Sequence, residues 1–317
     1  ALAAVKDPQQ RAEAQLLIGR SHNEMNRDKE AIAAYDEAIK SLPDWDRGDE
    51  VLLAAAQSYI ALDDAVGATA RLEQLVTKFP ESQYRGQSLY QLGEQAQEQK
   101  KFDPAIARYS EVLQKYPQSE FSAPAQYGIG AVYFAKGEFD KAADPLNKLL
   151  AGKADEDTTR RGRFLRGLVF QRLKQFDNAI KDLQYYLANK PQGDMASDAQ
   201  YALAICQIGL KQYDPAKQTL ASLLTAKPDY QHADKIYYEL GYAHLNEQQP
   251  DLAKAADSFR ELLKARPKSP LAAEAWFHIG HYHEETSKAA ADEKKKEIQV
   301  AAAAEAFKSG IAAAGDK

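Results

Sequence analysis

The chain has 317 residues, of which 44% are hydrophobic and 27% charged, proportions typical of a folded protein rather than a disordered one. Its 41 basic and 46 acidic residues give a net charge of -5, which does not indicate the dense cationic surface that nucleic-acid binding needs. The single cysteine, Cys206, excludes an intrachain disulfide and a cysteine-rich metal site, and no apolar run reaches the length of a membrane span.

A small residue recurs along the chain with a period of 37 residues over six intervals and then 39 residues. An alanine and a proline usually follow it at fixed spacing, as in Gly93, Ala105 and Pro117. Three patterns that share one period predict repeats. The small residues are Gly19, Ala56, Gly93, Gly130, Gly167, Ala204, Gly241 and Gly280. We predict eight repeats in a single domain, 1–317, over approximately 8–43, 45–80, 82–117, 119–154, 156–191, 193–228, 230–267 and 269–314.

Each repeat is predicted to be a pair of amphipathic helices, A and B. Asp103-Pro104 favours the start of a helix B with Asp103 as its N-cap, and Pro117 ends that helix. Ser82, Ser119 and Ser269 are predicted to cap the helix A that follows them. The small residue allows helices A and B to approach closely where they cross.

Some segments depart from this pattern. At the start, Ala1–Val5 resembles the end of a helix B, and Asp7-Pro8 favours the start of the first helix A. Pro145 falls inside a predicted helix B, so that helix either starts late, capped by Asp144, or is kinked. The eighth repeat carries extra residues, 288–298, that favour an elongated helical hairpin with a solvated lysine-rich face. Neither end carries a polar cap, so we expect an internal block of a longer repeat protein.

The pattern resembles the tetratricopeptide repeat family over essentially the whole chain. The first repeat carries it in Leu17, Gly19, Ala31, Tyr35, Ala38 and Pro43. This resemblance implies an all-α, right-handed superhelical solenoid that acts as a protein-interaction scaffold. The segments 79–84 and 116–121, each aromatic-Pro-x-Ser, look like those of TolA-binding periplasmic proteins and outer-membrane assembly lipoproteins. That likeness implies a bacterial envelope role, periplasmic or at the outer membrane, with the cytoplasm as the alternative.

The sequence contains no local motif of a nucleotide-binding loop, a serine hydrolase, a zinc protease or a calcium-binding loop. We therefore predict a protein that is not an enzyme and binds no cofactor. His281 and Glu285 stand one helical turn apart, a spacing that suits a divalent metal. His244 and His283, however, occupy a position that is aromatic in other repeats, which favours packing, and we predict no metal site. Cys206 is expected to be a buried structural thiol.

The family resemblance implies that the A helices line a concave groove, with residues three before, one after and four after the small residue exposed in it. We call these the groove positions. The predicted partner-binding residues there are Tyr90, Tyr127, Ala131, Phe134, Phe164, Leu168, Tyr201, Ile205, Ile208, Tyr238, Tyr242, Leu245 and Phe277, with rim charges Arg161, Arg172 and Lys235. An apolar stripe of this kind is typical of a contact site.

The partner predicted from this stripe is a peptide or amphipathic helix with apolar anchors and some acidic residues. One alternative is that the groove aromatics only pack against one another. A second is a structural module that self-assembles into homo-oligomers. A third is a solenoid whose tyrosines stack on glycans. No nucleic acid and no direct membrane span are expected.

Overall fold

A computed structural model of the chain describes residues 6–315. Within this range it contains sixteen α-helices and no strand, which confirms the all-α fold class. Odd-numbered helices take the place of helix A and even-numbered helices that of helix B. The helices are α1 (Pro8–Glu24), α2 (Asp28–Ser41), α3 (Gly48–Ala61), α4 (Ala65–Lys78), α5 (Arg85–Glu98), α6 (Phe102–Lys115), α7 (Ser122–Ala135), α8 (Phe139–Ala151), α9 (Glu156–Arg172), α10 (Phe176–Ala188), α11 (Asp194–Gly209), α12 (Tyr213–Ala226), α13 (Ala233–Asn246), α14 (Leu252–Ala265), α15 (Ala272–Ala289) and α16 (Glu293–Gly315).

The chain divides into two compact units, Ala1–Gly162 and Arg163–Lys317. In the first unit each helix from α1 to α8 packs against the next, and α5 also contacts α7. The second unit repeats this arrangement from α10 to α16, with α11 against α13. Packing between neighbours along the chain is the arrangement of a helical solenoid. The helical repeat solenoid is therefore confirmed within each unit, while the right-handed superhelical path and the single domain stay predictions.

The recurrent small residues lie where the two helices of a pair touch. A Cβ atom on Gly93 would lie 2.5 Å from the ring of Tyr109, too close for any van der Waals contact, so only glycine fits opposite this tyrosine. Ala56 takes the same place in the preceding repeat, and its partner 16 positions later is the smaller Leu72. Leucine also faces a glycine, as Leu146 does Gly130, so the helix B side chain alone does not decide between glycine and alanine at this position.

The turn between helices A and B uses a left-handed residue at the same place in six repeats. These residues are Asn26, Asp63, Lys100, Gly137, Lys174 and Lys211, spaced 37 residues apart, with φ between 55° and 74°. In the third repeat the Lys101 N–H donates to the Ala96 carbonyl oxygen at 2.8 Å and the Lys100 N–H donates to that of Gln97 at 2.9 Å. This pair of bonds is the Schellman motif, which satisfies the last carbonyls of helix A. Only one of the six residues is glycine, so five turns hold a side chain in a disfavoured conformation.

Replacing Lys100 with glycine is expected to raise the free energy of unfolding by about 0.5–1 kcal/mol, because glycine adopts this φ without steric cost. The matched change Gly137→Ala in the next repeat should lower it by about 1 kcal/mol. Urea unfolding followed by circular dichroism measures both. Lys101→Gly is the control, since Lys101 has φ -84° and gains nothing from glycine. A loss of stability in Lys100→Gly would contradict the expectation.

The helix caps predicted at Asp103 and at Ser82, Ser119 and Ser269 are wrong. Helix α6 begins at Phe102, one residue before Asp103, because the Phe102 side chain packs against the core of the unit. Asp103 therefore lies in the first turn, where its negative charge interacts favourably with the helix dipole. Its carboxylate also accepts a hydrogen bond from Lys136 Nζ at 2.9 Å. Ser82 lies in the loop before α5 and donates to Asp49 Oδ2 of the preceding repeat at 2.5 Å. These polar groups tie neighbouring repeats together rather than begin helices.

Pro145 lies inside a continuous helix. Helix α8 begins at Phe139, six residues before the proline, so the late start at Asp144 is wrong. Pro145 is buried, and Asp144 forms an ion pair with Lys148 at 2.8 Å. The apolar contacts of the proline ring offset the backbone hydrogen bond that it lacks.

The described chain has a helix close to its start and another at its end. Asp7 caps α1 by accepting a hydrogen bond from the Gln9 N–H at 3.0 Å, as predicted. The predicted helix end at Ala1–Val5 lies outside the described residues. Helices α15 and α16 have 18 and 23 residues, which confirms the elongated final hairpin.

Candidate functional site

In the first unit, the predicted partner-binding residues at the groove positions are Tyr90, Tyr127, Ala131 and Phe134, all of which are half-buried. The Tyr90 ring packs 5.8 Å from that of Tyr109 between centroids, as part of the core of this unit. The Phe134 ring meets the Phe139 ring edge-on at 5.5 Å. Part of the predicted apolar face is therefore already used in packing within the unit.

A pocket opens beside these groove positions, and we call it the Glu94 pocket. Its wall includes Tyr90, Glu94, Glu98, Tyr109, Tyr127 and Arg161. The Arg161 guanidinium, which belongs to the part of α9 in the first unit, lies over the Tyr127 ring at 4.5 Å from its centroid. A Cβ atom at Gly128, also in this wall, would lie 2.6 Å from the Tyr109 ring, so only glycine fits against that ring here.

The Glu94 carboxylate is half-buried and carries no ion pair within the described residues. Burial raises the pKa of Glu94, and the neighbouring Glu98 carboxylate adds to this shift, while the Tyr90 hydrogen bond and Arg161 oppose it. The Tyr90 hydroxyl donates to Glu94 Oε1 at 2.7 Å, and burial raises the pKa of Tyr90 as well. The pocket therefore holds negative charge that is only partly solvated.

The second unit holds the other predicted groove residues, and most of them are half-buried. Tyr201 and Ile208 pack against the core around Leu220, and Tyr238 and Leu245 pack against the core around Phe259. Leu168 and Ile205 are also half-buried. Their contacts to the core favour the alternative in which these aromatics pack within the protein.

Three of the predicted groove residues in this unit differ from the others in how exposed they are to solvent. Phe164 is only 7% exposed, and its ring lies 4.8 Å from that of Tyr186, so it is a core residue rather than an exposed anchor. Tyr242 and Phe277 are 38% and 56% exposed and present large apolar surfaces to solvent. Among the predicted groove residues of this unit, the accessible apolar surface is concentrated on these two residues.

Glu239 is a half-buried carboxylate that the sequence analysis missed. It lies close enough to Tyr201 and Tyr238 for its charge to raise the pKa of both hydroxyls. Burial raises the pKa of Glu239 to about 7, and within the described residues no hydrogen bond or ion pair joins it. The sequence did contain a signal for it, an acidic residue at a position that holds Ala54, Gly128 or another small or apolar residue in most repeats.

The predicted rim charges Arg161, Arg172 and Lys235 are all exposed. Arg172 lowers the pKa of the nearby Tyr201 hydroxyl, against the larger effect of burial. Lys235 lies one helical turn before Glu239, yet no ion pair between them is present in the described region. Both positive and half-buried negative groups therefore line the groove positions.

The histidine-rich segment contains one group with metal-ligand geometry. Ligand atoms of His281, Glu284 and Glu285 lie within 4.8 Å of one another on α15. Lys288 Nζ, however, lies 3.1 Å from Glu284 and 2.8 Å from Glu285, and so neutralises both carboxylates. His283 Nδ1 lies 2.6 Å from Gln299 Oε1, a contact between the two helices of the last pair. These contacts favour a structural role, and the absence of a metal site stays a prediction.

Cys206 is fully buried in α11, as expected of a structural thiol. Burial raises the pKa of its thiol to about 12, so the reactive thiolate is scarce at neutral pH.

Comparison with solved structures shows repeat proteins that cover most of this chain. The C-terminal part of a tetratricopeptide-repeat protein from Cytophaga hutchinsonii matches with a TM-score of 0.60 at 15% identity, over 83% of this chain and 98% of that one. A tetratricopeptide repeat protein from Parabacteroides merdae matches with a TM-score of 0.54 at 17% identity, over 80% and 98%. YrrB, a protein described as having an unusual peptide-binding site, matches with a TM-score of 0.54 at 22% identity, over 64% and 96%. At these identities the likeness shows the fold.

Sequence comparison identifies the repeats themselves. No curated protein sequence matches the chain. No helix within residues 6–315 combines the length and the apolar character needed to cross a membrane. A family model described as tetratricopeptide repeat matches residues 13–44, 50–82 and 87–119, and two further models of the same description match 172–240 and 212–270. Together these matches cover more than half of the sequence, and the chain belongs to the tetratricopeptide repeat family.

Proposed function

We propose that this protein is a non-catalytic scaffold that binds a peptide or helix of a partner protein at its groove positions. Members of the family are generally interaction modules without catalytic activity. The observation that carries the proposal is the exposure of Tyr242 and Phe277 on preformed helices of the second unit. Large apolar side chains on a rigid support give affinity at little cost in conformational entropy.

The residues one position after the small residue are the best candidates for anchors. Ile205 and Tyr242 occupy this position in consecutive repeats, on α11 and α13, and neither belongs to the described core clusters. Helices that pack as neighbours lie about 10 Å apart. A bound segment with apolar side chains at a similar spacing would cover both residues.

Basic side chains on the helices of the second unit indicate the charge of the partner segment. Arg172 and Lys235 are exposed on α9 and α13 of the same unit and favour a partner segment with acidic residues beside its apolar anchors. We include a bacterial envelope location, periplasmic or at the outer membrane, which is supported by the aromatic-Pro-x-Ser segments alone. The cytoplasm is the alternative location.

A random-peptide phage library selected against the immobilised protein tests the proposal. Selected peptides are expected to bind, and the triple variant Ile205→Ala/Tyr242→Ala/Phe277→Ala should weaken their binding by roughly thirty-fold or more, because it removes the accessible apolar anchors. Fluorescence anisotropy of a labelled selected peptide gives the dissociation constant. Circular dichroism should show unchanged helicity in the variant.

The matched control replaces three exposed apolar residues of the same unit that lie off the groove positions, Tyr185, Met195 and Ile298, with alanine. This control should bind the selected peptides like the unaltered protein. Equal losses in the two triple variants would contradict the proposal. Light scattering across concentration detects the self-assembly alternative, and a shift on a native gel containing polysaccharide detects the glycan alternative.

A further inference from the structure

The Glu94 pocket has more negative charge than the described residues around it neutralise. Glu94 accepts a hydrogen bond from Tyr90, and Glu98 Oε2 accepts one from Gln95 Nε2 at 3.4 Å. Within the described residues neither carboxylate has a cation within ion-pair distance. By contrast, Glu73 in the same unit is paired with Arg108 at 2.6 Å. A half-buried carboxylate without a cation is unfavourable, so a cation that enters the pocket gains stabilisation there.

The pocket wall already holds a cation against an aromatic ring. The Arg161 guanidinium lies 4.5 Å from the Tyr127 centroid and lowers the pKa of Glu94 through its charge. Arg161 is nevertheless exposed and does not reach ion-pair distance of Glu94. The geometry of this wall therefore suits a guanidinium or an ammonium group, and the position next to the two carboxylates is left for a second cation.

We propose that the Glu94 pocket binds the side chain of an arginine or lysine from the partner segment. The charged head pairs with Glu94 and Glu98, and the aliphatic stem lies along the rings of Tyr90 and Tyr127. This inference rests on the proposed function and adds a chemical requirement on the partner, a basic residue for the first unit. It differs from the acidic complement expected beside Arg172 and Lys235 in the second unit.

Ligand-observed saturation-transfer NMR tests the pocket without knowledge of the natural partner. The probe is the peptide acetyl-Gly-Ser-Arg-Ser-Gly-amide, and its control is the same peptide with citrulline, which has nearly the shape of arginine but no charge. The arginine peptide is expected to bind, and the citrulline peptide should bind roughly tenfold more weakly, since a charge pair of this kind contributes about 1.4 kcal/mol. Equal binding of the two peptides would overturn the proposal.

Variants place the binding in the pocket. Glu94→Gln keeps the size of the side chain and an acceptor for the Tyr90 hydroxyl, and it should weaken binding of the arginine peptide roughly tenfold. Glu81→Gln, at an exposed loop residue, should leave binding unchanged. Arg161→Ala removes a competing positive charge and should strengthen binding. Unchanged affinity in Glu94→Gln, with helicity intact, would overturn the assignment.

The outcomes separate this inference from the proposed function. If the arginine peptide does not bind while phage-selected peptides still need Ile205, Tyr242 and Phe277, only the pocket assignment fails. If the library yields no peptides while the arginine peptide binds through Glu94, the pocket stands and the groove anchors of the second unit fail.

Discussion

Replacing Asp182 with alanine is expected to lower the free energy of unfolding of the second unit by about 3 kcal/mol. The Asp182 carboxylate is 1% exposed and joins α10 to α9 through two arginines. Arg163 Nη1 donates to Oδ1 at 2.7 Å, and Arg166 donates from Nε to Oδ2 at 2.6 Å and from Nη2 to Oδ1 at 2.9 Å. Removal of the carboxylate leaves two guanidinium groups near the core without their counter-charge.

Urea unfolding followed by circular dichroism measures this loss. Asp177→Ala, at an exposed residue in the first turn of the same helix, is the matched control and should change stability by less than about 0.5 kcal/mol. Asp182→Asn keeps the size of the side chain, and its loss of stability should lie between those of Asp182→Ala and Asp177→Ala. If Asp182→Ala loses no more stability than the control, the prediction is contradicted, because water would then solvate the two arginines without cost.

Replacing Glu239 with glutamine is expected to stabilise the second unit at high pH and not at low pH. The pKa of Glu239 is raised from 4.5 to about 7 by burial, so the folded state binds a proton more tightly than the unfolded state does. The stability that this proton contributes is fully present below about pH 4.5 and is lost as the pH rises to about 7. Glutamine stays neutral, so the free energy of unfolding of the variant should exceed that of the unaltered protein by about 3 kcal/mol at pH 8 and by little at pH 4.5.

Unfolding curves of both proteins at several pH values give the difference in stability as a function of pH. The comparison cancels other titrations, including that of His278, whose pKa burial lowers. Tyr201 and Tyr238 lie near Glu239, Asp234 lies near Tyr201, and all three remain in both proteins. Glu261→Gln, at an exposed residue paired with Lys264 on the surface, should show no such pH dependence. A difference that is constant with pH would contradict a titrating Glu239.

The surroundings of Asp182 and Glu239 could not be predicted from the sequence. Both lie on helices whose type and approximate bounds the repeat pattern predicted, yet the pattern carried no information on what surrounds one atypical residue. The counter-charge of Asp182 comes from another helix, at Arg163 and Arg166, and the burial of Glu239 comes from the packing around it. For Glu239, the available signal was an acidic residue at a position that is small or apolar in most other repeats.

The turn residues illustrate the same limit in backbone geometry. Asn26, Asp63 and Gly137 are residue types that tolerate a left-handed conformation, and their spacing was present in the sequence. Lysine at positions 100, 174 and 211 concealed the pattern, because lysine has no such preference. The helices on either side set the conformation there, since the turn must satisfy the last carbonyls of helix A.

The sequence by itself determined the repeat, the helix pairs and the close contact at each small residue, because these depend on spacing along one chain and on the volume of one side chain. Gly93 opposite Tyr109 is an example of such local information. Only the tertiary structure decided which groove residues are accessible, burying Phe164 while leaving Tyr242 and Phe277 exposed. It also assembled the Glu94 pocket from α5, α6, α7 and the start of α9. Accessibility and charge balance depend on what neighbouring helices place beside a residue, and that arrangement is a property of the packed chain.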